Sequence, residues 1–371
     1  MRATRAIVYL DRFRENIRAA AAWVGKRRLC VPVKADAYGH GALPLARAAL
    51  EAGADFLAVA LVQEGEELRR GGIRAPILLL SQCQDGELDD LALNDLSPFV
   101  SGAAAIDALA GTARALGKEL QVHLKVDTGM GRAGCRPEEA AALAARVLSH
   151  GNLRLAGTAT HLAVSDSPAP ADLAYTGDQL RRFDRAVKAI RAAGIDPGIL
   201  HAANTGGVVY HPDSWLDMVR PGILLYGCGP RGAAEGPGPA TRPVMELRSA
   251  VAAVKPIRKG ESVSYGRAWT AAEDTLAALI PIGYADGLRR GLSNNWFMEI
   301  RGGTYPIIGR ICMDQCVVDL GPDGAGIVPG DDVLVFGEGP GGAALMAEKL
   351  GTIPYEIICG IGKRVPRIYA G

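Results

Sequence analysis

A chain of 371 residues with 41 basic and 40 acidic side chains, a net charge of +1 and 49% apolar residues can bury a sizeable core, and it lacks the charge excess of a nucleic-acid or membrane-surface binder. Its seven cysteines (30, 83, 135, 228, 312, 316 and 359) are scattered and include no C-x-x-C pair, which argues against a disulfide framework and for a reducing, cytoplasmic setting. No His or Cys partner stands at ligand spacing from Cys312 and Cys316, so no metal is expected; no apolar run is long enough to span a bilayer, and MRATRAIVYLDRFRENIRAA lacks the apolar core of a signal segment.

Eight apolar runs follow one another along the first two-thirds of the chain: 29–35, 56–60, 76–80, 96–100, 120–126, 153–162, 199–204 and 217–227. Each reads as a strand, and the stretches between them read as helices. The segment 136–150 has Pro137 and two glutamates in its first turn, and 179–194 ends on a glycine. Strands alternating with helices in this number predict a (β/α)8 barrel over residues 1–232, with an open doubly wound sheet as the competitor. Residues 227–243 are dense in Gly and Pro and read as a boundary. Gly227, Gly229 and Gly232 there match G-x-G-x-x-G, but Pro230, Pro237 and Pro239 forbid the helix that a dinucleotide fingerprint needs. Beyond it, 243–257, 275–282, 296–302, 304–313, 315–320 and 331–337 look like strands, with one helix at 343–351, so residues 233–371 are expected to form a mainly β domain.

Barrel enzymes build their sites at the C-terminal ends of their strands. There this chain places Lys34, then Lys125 leading to Arg132, then His161, Asn204-Thr205, and Arg220 followed by Gly222-Ile223. Any one of these could be a solvated loop charge; five strands delivering them to one rim points to a binding site. Alternation in 120–126 sets Val122, Leu124 and Val126 on one face and Gln121, His123 and Lys125 on the other, so Lys125 is expected to point into the barrel. A buried ammonium needs a partner or a chemical modification, and Asp127 or another carboxylate could pair with it. Two lysines, arginines and glycine-rich turns after the last two strands suggest a phosphorylated carbonyl cofactor that condenses with a lysine amine.

The segment Val33-Lys34-Ala35-Asp36-Ala37-Tyr38-Gly39-His40-Gly41 resembles the pyridoxal-lysine motif of the alanine racemase family, and the similarity continues through 125–132, Thr160-His161, 203–205, 220–223, 263–266, 281–287, 309–315 and 354–356, in the family's order over nearly the whole chain. The resemblance implies a barrel followed by a β domain, pyridoxal 5'-phosphate as cofactor, a head-to-tail homodimer with shared sites, and D-alanine supply for peptidoglycan. Lys34 resembles the cofactor's lysine and one of two bases, and Tyr265, donated by the partner subunit, resembles the other. Tyr38, Thr205, Gly222, Ile223 and Tyr355 resemble the phosphate ligands, His161 and Asn204 neighbours of the cofactor, and Arg220 the arginine that faces its pyridine nitrogen. Arg132 and Met313 resemble substrate-pocket residues, Lys125 a lysine often carbamylated, and Tyr284, Arg310 and Asp166 parts of an entry corridor.

Racemisation removes an α-proton and returns one to the opposite face, so two groups must flank the α-carbon, and a lysine and a tyrosine on opposite sides meet that need. His161 and Arg220 are expected to stabilise the Tyr265 phenolate through a hydrogen-bonded chain. Arg220, always a donor, holds a pyridine nitrogen unprotonated. Three other readings fit part of the sequence. A decarboxylase of basic amino acids would place an acid where Arg220 stands, a barrel-only cofactor carrier would leave Tyr265 and Met313 without a role, and a racemase for serine or a larger amino acid differs only in pocket size.

Overall fold

The computed structural model describes residues 2–229, 237–339 and 341–371. After an opening strand, β1 (Arg5–Tyr9), come eight short strands: β2 (Arg28–Pro32), β3 (Phe56–Val59), β4 (Ile77–Leu79), β5 (Leu96–Val100), β6 (Leu120–Lys125), β7 (Leu153–Ala159), β8 (Ile199–His201) and β9 (Met218–Val219). Each lies within one of the eight predicted runs, apart from a one-residue start before the first. They form one parallel sheet in the order β8-β7-β6-β5-β4-β3-β2-β9. The two ends meet outside the regular ladder: Asp217 N–H donates to Leu200 O at 3.0 Å, and Arg220 N–H to Ala203 O at 2.9 Å. The sheet is therefore a nearly closed barrel, and the open doubly wound alternative is ruled out. The helix predicted from 179 begins earlier, at Pro170, and runs to Ala192, with Gly194 at φ +74 just beyond it.

The second half supplies β10 (Met245–Ala250), β11 (Ala253–Ile257), β12 (Thr275–Ile280), β13 (Phe297–Ile300), β14 (Gly303–Ile308), β15 (Cys316–Gly321), β16 (Asp332–Phe336) and β17 (Arg367–Ala370). With β1 they make a nine-stranded sheet in the order β11-β12-β15-β14-β13-β16-β10-β1-β17. The expected mainly β character holds. The run 243–257 is two strands far apart in the sheet, and neither β1 nor β17 was anticipated. β1 pairs antiparallel with β10 and parallel with β17, so the start of the chain is built into the sheet of its second half. Its five residues alternate, with Ala6 and Val8 fully buried, a pattern too short to stand out beside the helix that follows it. The expected division at 232/233, with Gly232 of the decoy motif, lies outside the described residues. Gly227 closes a turn at Ile223–Tyr226.

The helix Leu10–Val24 buries Phe13, Ile17, Ala20 and Val24 at helical spacing. From the same helix, Asn16 donates to Leu225 O (3.0 Å) and Arg242 O (2.8 Å) and accepts Arg242 N–H (2.8 Å), tying the barrel to the sheet. One apolar core runs through both halves. Inside the barrel a smaller cluster of Cys30, Ala58, Leu78, Phe99, Ala159 and Met218 leaves room for buried polar side chains above it. No helix among the described residues is long and apolar enough to cross a membrane.

Candidate active site

Lys34 begins a turn, Lys34–Gly39, in which Ala35, Asp36, Ala37 and Tyr38 all have φ between +51 and +53. A left-handed conformation costs an L-residue about 1–2 kcal/mol, so four in succession need external support. Glu64 Oε1 accepts the Ala35 N–H at 2.6 Å, Asp36 Oδ1 the Ala42 N–H at 2.7 Å, and Asp36 O the Gly41 N–H at 2.9 Å. From the second half, Arg367 Nε donates to Gly39 O at 3.0 Å. The two glycines of the motif have physical reasons: Gly39 (φ +81) passes 2.5 Å from Ile358 O at its Cβ position, and Gly41 (φ +101) abuts the Tyr369 ring.

A cavity of about 690 Å³ opens at the C-terminal ends of the strands, within the range of small-ligand sites. Lys34, Tyr38, Lys125, Arg132, His161, Asp166, Asn204, Thr205, Arg220 and Gly222 all line it, and the second half adds Tyr355. Ten of the predicted barrel residues are thus brought together. Tyr355 also shows that the cavity is completed by the second half, which a barrel-only carrier would lack.

The electrostatics are dominated by cations. Burial, with help from Arg132, lowers the Lys34 pKa. His161 is pushed well below the usual histidine range by burial and by Lys125, Arg220, Arg132 and Lys34. Lys125 points into the barrel as expected, only 8% exposed, and burial, Arg220 and Arg132 push its pKa well below the lysine range. The expected pairing with Asp127 does not form. The Asp127 carboxylate instead accepts the backbone N–H groups of Gly129, Met130 and Gly131 at 2.9–3.2 Å, because the glycine-rich loop exposes donors that a nearby carboxylate satisfies at once. Lys125 Nζ rests 5.2 Å from the centre of the Phe99 ring, and it makes no ion pair among the described residues.

Hydroxyl and backbone donors converge at one end of the cavity. The Tyr38 and Tyr355 rings lie 5.8 Å apart, and the Tyr355 hydroxyl meets the Thr205 side chain and the backbone of Ile223. Thr205 Oγ1 accepts the Gly222 N–H at 2.9 Å, and a Cβ on Gly222 would stand 2.7 Å from the Tyr38 hydroxyl. Burial raises both tyrosine pKa values, Tyr355 to about 12, so both stay protonated donors. This donor set fits a phosphate group. Asn204 lines the same wall, but its side chain is committed locally: Oδ1 accepts Gly207 N–H (3.0 Å) and Ser165 Oγ–H (2.6 Å), and Nδ2 donates to Leu162 O.

Arg220, 5% exposed, donates to His201 Nδ1 (2.7 Å), Thr160 O (2.8 Å) and Ala202 O (3.2 Å). Its pKa falls to about 10 through burial, which still leaves it charged at neutral pH. His201 is not among the expected site residues, since a histidine at the end of a three-residue strand carries no local signal of its partner.

Four predicted residues are elsewhere. Tyr265 (72% exposed), Met313 (52%), Tyr284 and Arg310 gather on the surface of the second half. Ser264 Oγ donates to Arg310 O (2.6 Å), and the Arg310 guanidinium packs against Gly266. Tyr284 N–H and Ala285 N–H donate to Cys312 O and Met313 O, both at 3.0 Å. None of the four lines the Lys34 cavity.

Residues 8–230 match the family described as alanine racemase, N-terminal domain, and residues 244–369 match alanine racemase, C-terminal domain. The chain is 47% identical over 378 residues to an alanine racemase of Treponema denticola, covering all of this chain and 98% of that protein. Among solved structures it is similar to the alanine racemase from D-cycloserine-producing Streptomyces lavendulae (TM-score 0.93, 38% identity, 100% and 98% covered). It is equally similar in fold to that of Clostridium difficile 630 (TM-score 0.94, 35% identity, 99% and 96% covered).

Proposed function

The chain belongs to the alanine racemase family, isomerases, and from that membership we propose that it binds pyridoxal 5'-phosphate and interconverts L- and D-alanine as a homodimer, with Lys34 of one subunit and Tyr265 of the other as the two bases. The observation that carries this reading is the separation of two predicted halves of one site. Lys34 sits in a cationic cavity, while Tyr265, Met313, Tyr284 and Arg310 stand together and exposed on the other half of the same chain. A head-to-tail pair would bring each exposed cluster to the other subunit's cavity.

Bound pyridoxal phosphate supplies a conjugated electron-withdrawing ring that acidifies the α-hydrogen of an amino acid joined to it. The protein's part is to hold and to move protons. Tyr38, Thr205, Gly222, Ile223 and Tyr355 would hold the phosphate, with His161 and Asn204 beside the cofactor and Lys34 as its covalent anchor. Arg132 holds the substrate carboxylate. The lowered pKa of Lys34 raises the fraction of free amine, the form that can accept the α-proton on its side. Tyr265 serves the opposite side, supported by the cationic surroundings of His161 and Arg220. Arg220 would face the pyridine nitrogen of the bound cofactor as a permanent donor and would keep it unprotonated, limiting side reactions that need a stronger electron sink. Lys125 carries a carbamate, which turns a buried amine with no ion-pair partner among the described residues into an anion near Arg132. Met313 bounds a pocket small enough to favour alanine, and Tyr284, Arg310 and Asp166 shape the way in. The enzyme acts in the cytoplasm and supplies D-alanine for peptidoglycan, and the division of the chain near 232 separates cofactor binding from the half that serves the partner.

The test is to load the purified protein with pyridoxal phosphate, look for a visible absorption band, and follow L- to D-conversion of alanine, serine and larger amino acids by chiral chromatography. Racemisation of alanine ahead of the others is expected, and a loaded protein that racemises none of them overturns the reading. Lys34→Ala should lose the band, whereas Tyr265→Ala should keep it and lose racemisation.

A further inference from the structure

Below the cavity, inside the barrel, His201 Nδ1 faces Arg220 Nη1 at 2.7 Å, and His201 Nε2 faces His123 Nδ1 at 2.9 Å. Both rings are buried, and both pack against Phe99, His201 stacked and His123 edge-on. The barrel is adapted to seat them. The β6–β7 register slips between Val122 and His123, and Gly157 stands opposite, where a Cβ would lie 2.4 Å from His123 Nδ1.

A guanidinium only donates. His201 Nδ1 must therefore present its lone pair to Arg220, which puts the proton of a neutral His201 on Nε2. That proton goes to His123 Nδ1, and His123 in turn carries its own proton on Nε2. The chain runs one way, from Arg220 to His201 to His123, and each link sets the tautomer of the next. Burial and Arg220 keep both rings neutral, His123 with a pKa lowered to about 3. The other acceptors on Arg220 are the carbonyls of Thr160 and Ala202. No carboxylate pairs with Arg220 among the described residues; its plane is fixed by neutral acceptors alone, which hold the direction of the group without sharing its charge as a carboxylate would.

We propose that His201 and His123 are positioning residues for Arg220: a neutral, one-directional hydrogen-bond chain that aims the guanidinium at the cofactor's ring while leaving its charge unneutralised. The proposal rests on the reading that Arg220 meets the ring nitrogen. His201 holds Arg220 directly, and His123 holds the tautomer of His201.

Two measurements test it. In the cofactor-free protein with ¹⁵N-labelled histidine, the signals lost in His201→Phe and His123→Phe should both report neutral rings protonated on Nε2 at neutral pH. An Nδ1-protonated or doubly protonated ring at either position overturns the chain. In the loaded protein, His201→Phe should retain the visible band, shift its position and lower kcat, by up to about a hundred-fold if the guanidinium moves by an ångström, with KM for alanine changed far less. His201→Gln, which keeps an acceptor for Arg220, should recover part of kcat, and His123→Phe should show a smaller loss than His201→Phe. If His201→Phe folds, loads and keeps the wild-type band and kcat, the proposal fails. If His201→Phe does not fold, His123→Phe carries the same test alone. Arg220→Lys separates the two layers: a changed band with Arg220→Lys beside unchanged histidine variants sinks only the chain, and an unchanged band in all of them sinks the placement of Arg220 as well.

Discussion

The Glu64 carboxylate accepts the backbone N–H of Ala35, the residue after Lys34, at 2.6 Å, and its other oxygen accepts those of Ala60 and Leu61 at 2.8 and 3.2 Å. One side chain thus ties the left-handed turn of the lysine to the end of the neighbouring strand β3. Glu64→Ala leaves three backbone donors without this acceptor and should destabilise the protein by about 1–3 kcal/mol. The same variant should load less cofactor at equal concentration. Thermal unfolding of the cofactor-free protein and titration with pyridoxal phosphate check the two effects, and an unchanged melting temperature with unchanged loading would remove Glu64 from this role.

The turn itself makes opposite expectations for two small substitutions. Gly39→Ala combines a φ of +81 with a Cβ 2.5 Å from Ile358 O, a backbone atom that cannot step aside cheaply. It should separate the turn from the helix Pro354–Cys359 and weaken cofactor binding along with stability. Ala35→Gly, at an exposed residue with φ +52, should stabilise the protein by up to about 1 kcal/mol, the left-handed penalty less the entropy of an added glycine. Denaturant midpoints of the two variants should move to opposite sides of the wild type.

Asp286 organises the exposed cluster. Its side chain is fully buried, pairs with Arg2 and Arg364 at 2.7 Å and accepts the Gly283 N–H at 3.0 Å, while Arg364 also reaches Met313 O and Asp314. Burial alone would raise its pKa, but the two arginines and the Gly283 N–H outweigh it, and the net shift is downward. A carboxylate with a lowered folded pKa stabilises the fold above its unfolded value near 4 and loses that contribution as pH falls through the folded value. Asp286→Asn should therefore cost about 1–3 kcal/mol at neutral pH and flatten the acid limb of the stability curve. It should also raise KM for alanine more than it lowers cofactor loading, since it holds the Gly283 N–H next to Tyr284 and the Arg364 side chain that reaches Met313 O. Equal acid limbs in variant and wild type would contradict the assignment.

Lys125 has no ion-pair partner among the described residues, so a carbamate should form in bicarbonate. Protein incubated with ¹³C-bicarbonate should give a carbamate NMR signal that Lys125→Met lacks. Stripped of carbon dioxide, the wild type carries a buried amine with a depressed pKa. The unfolded chain then binds the proton more tightly, so stability should rise with pH between the folded value and the ordinary lysine range, and the penalty is fully expressed below the folded value. Lys125→Met should remove that slope. A wild type with no bicarbonate-dependent signal would leave the buried amine unmodified.

Shared sites predict complementation. Mixing inactive Lys34→Ala and Tyr265→Ala proteins under conditions of subunit exchange should regain about a quarter of the wild-type activity, since half the dimers are mixed and each holds one intact site. Confirmed exchange with no recovery would place both bases on one subunit.

The sequence by itself determined eight parallel strands alternating with helices, because eight short apolar runs spaced by helical stretches each have to be buried on both faces, and it determined the mainly β second half through alternation between glycine and aspartate turns. Closure into a barrel rather than an open sheet came from contacts between β8 and β9, the two ends of the sheet, that the runs themselves do not specify. It also determined which residues stand at the strand ends, since a residue just past an apolar run is carried to the rim whatever its neighbours are. Only the tertiary structure decided who meets whom there. It placed β1 in the far sheet, because pairing with β10 and β17 is a long-range event that five residues cannot announce. It took Asp127 away from Lys125, because nearby backbone donors compete for a carboxylate more effectively than an ammonium on the next strand face. It set four L-residues in a left-handed turn against a local cost that Glu64, Asp36 and Arg367 help to offset. And it joined Arg220 to His201 and His123, whose order as donor and acceptor follows from a guanidinium that can only give.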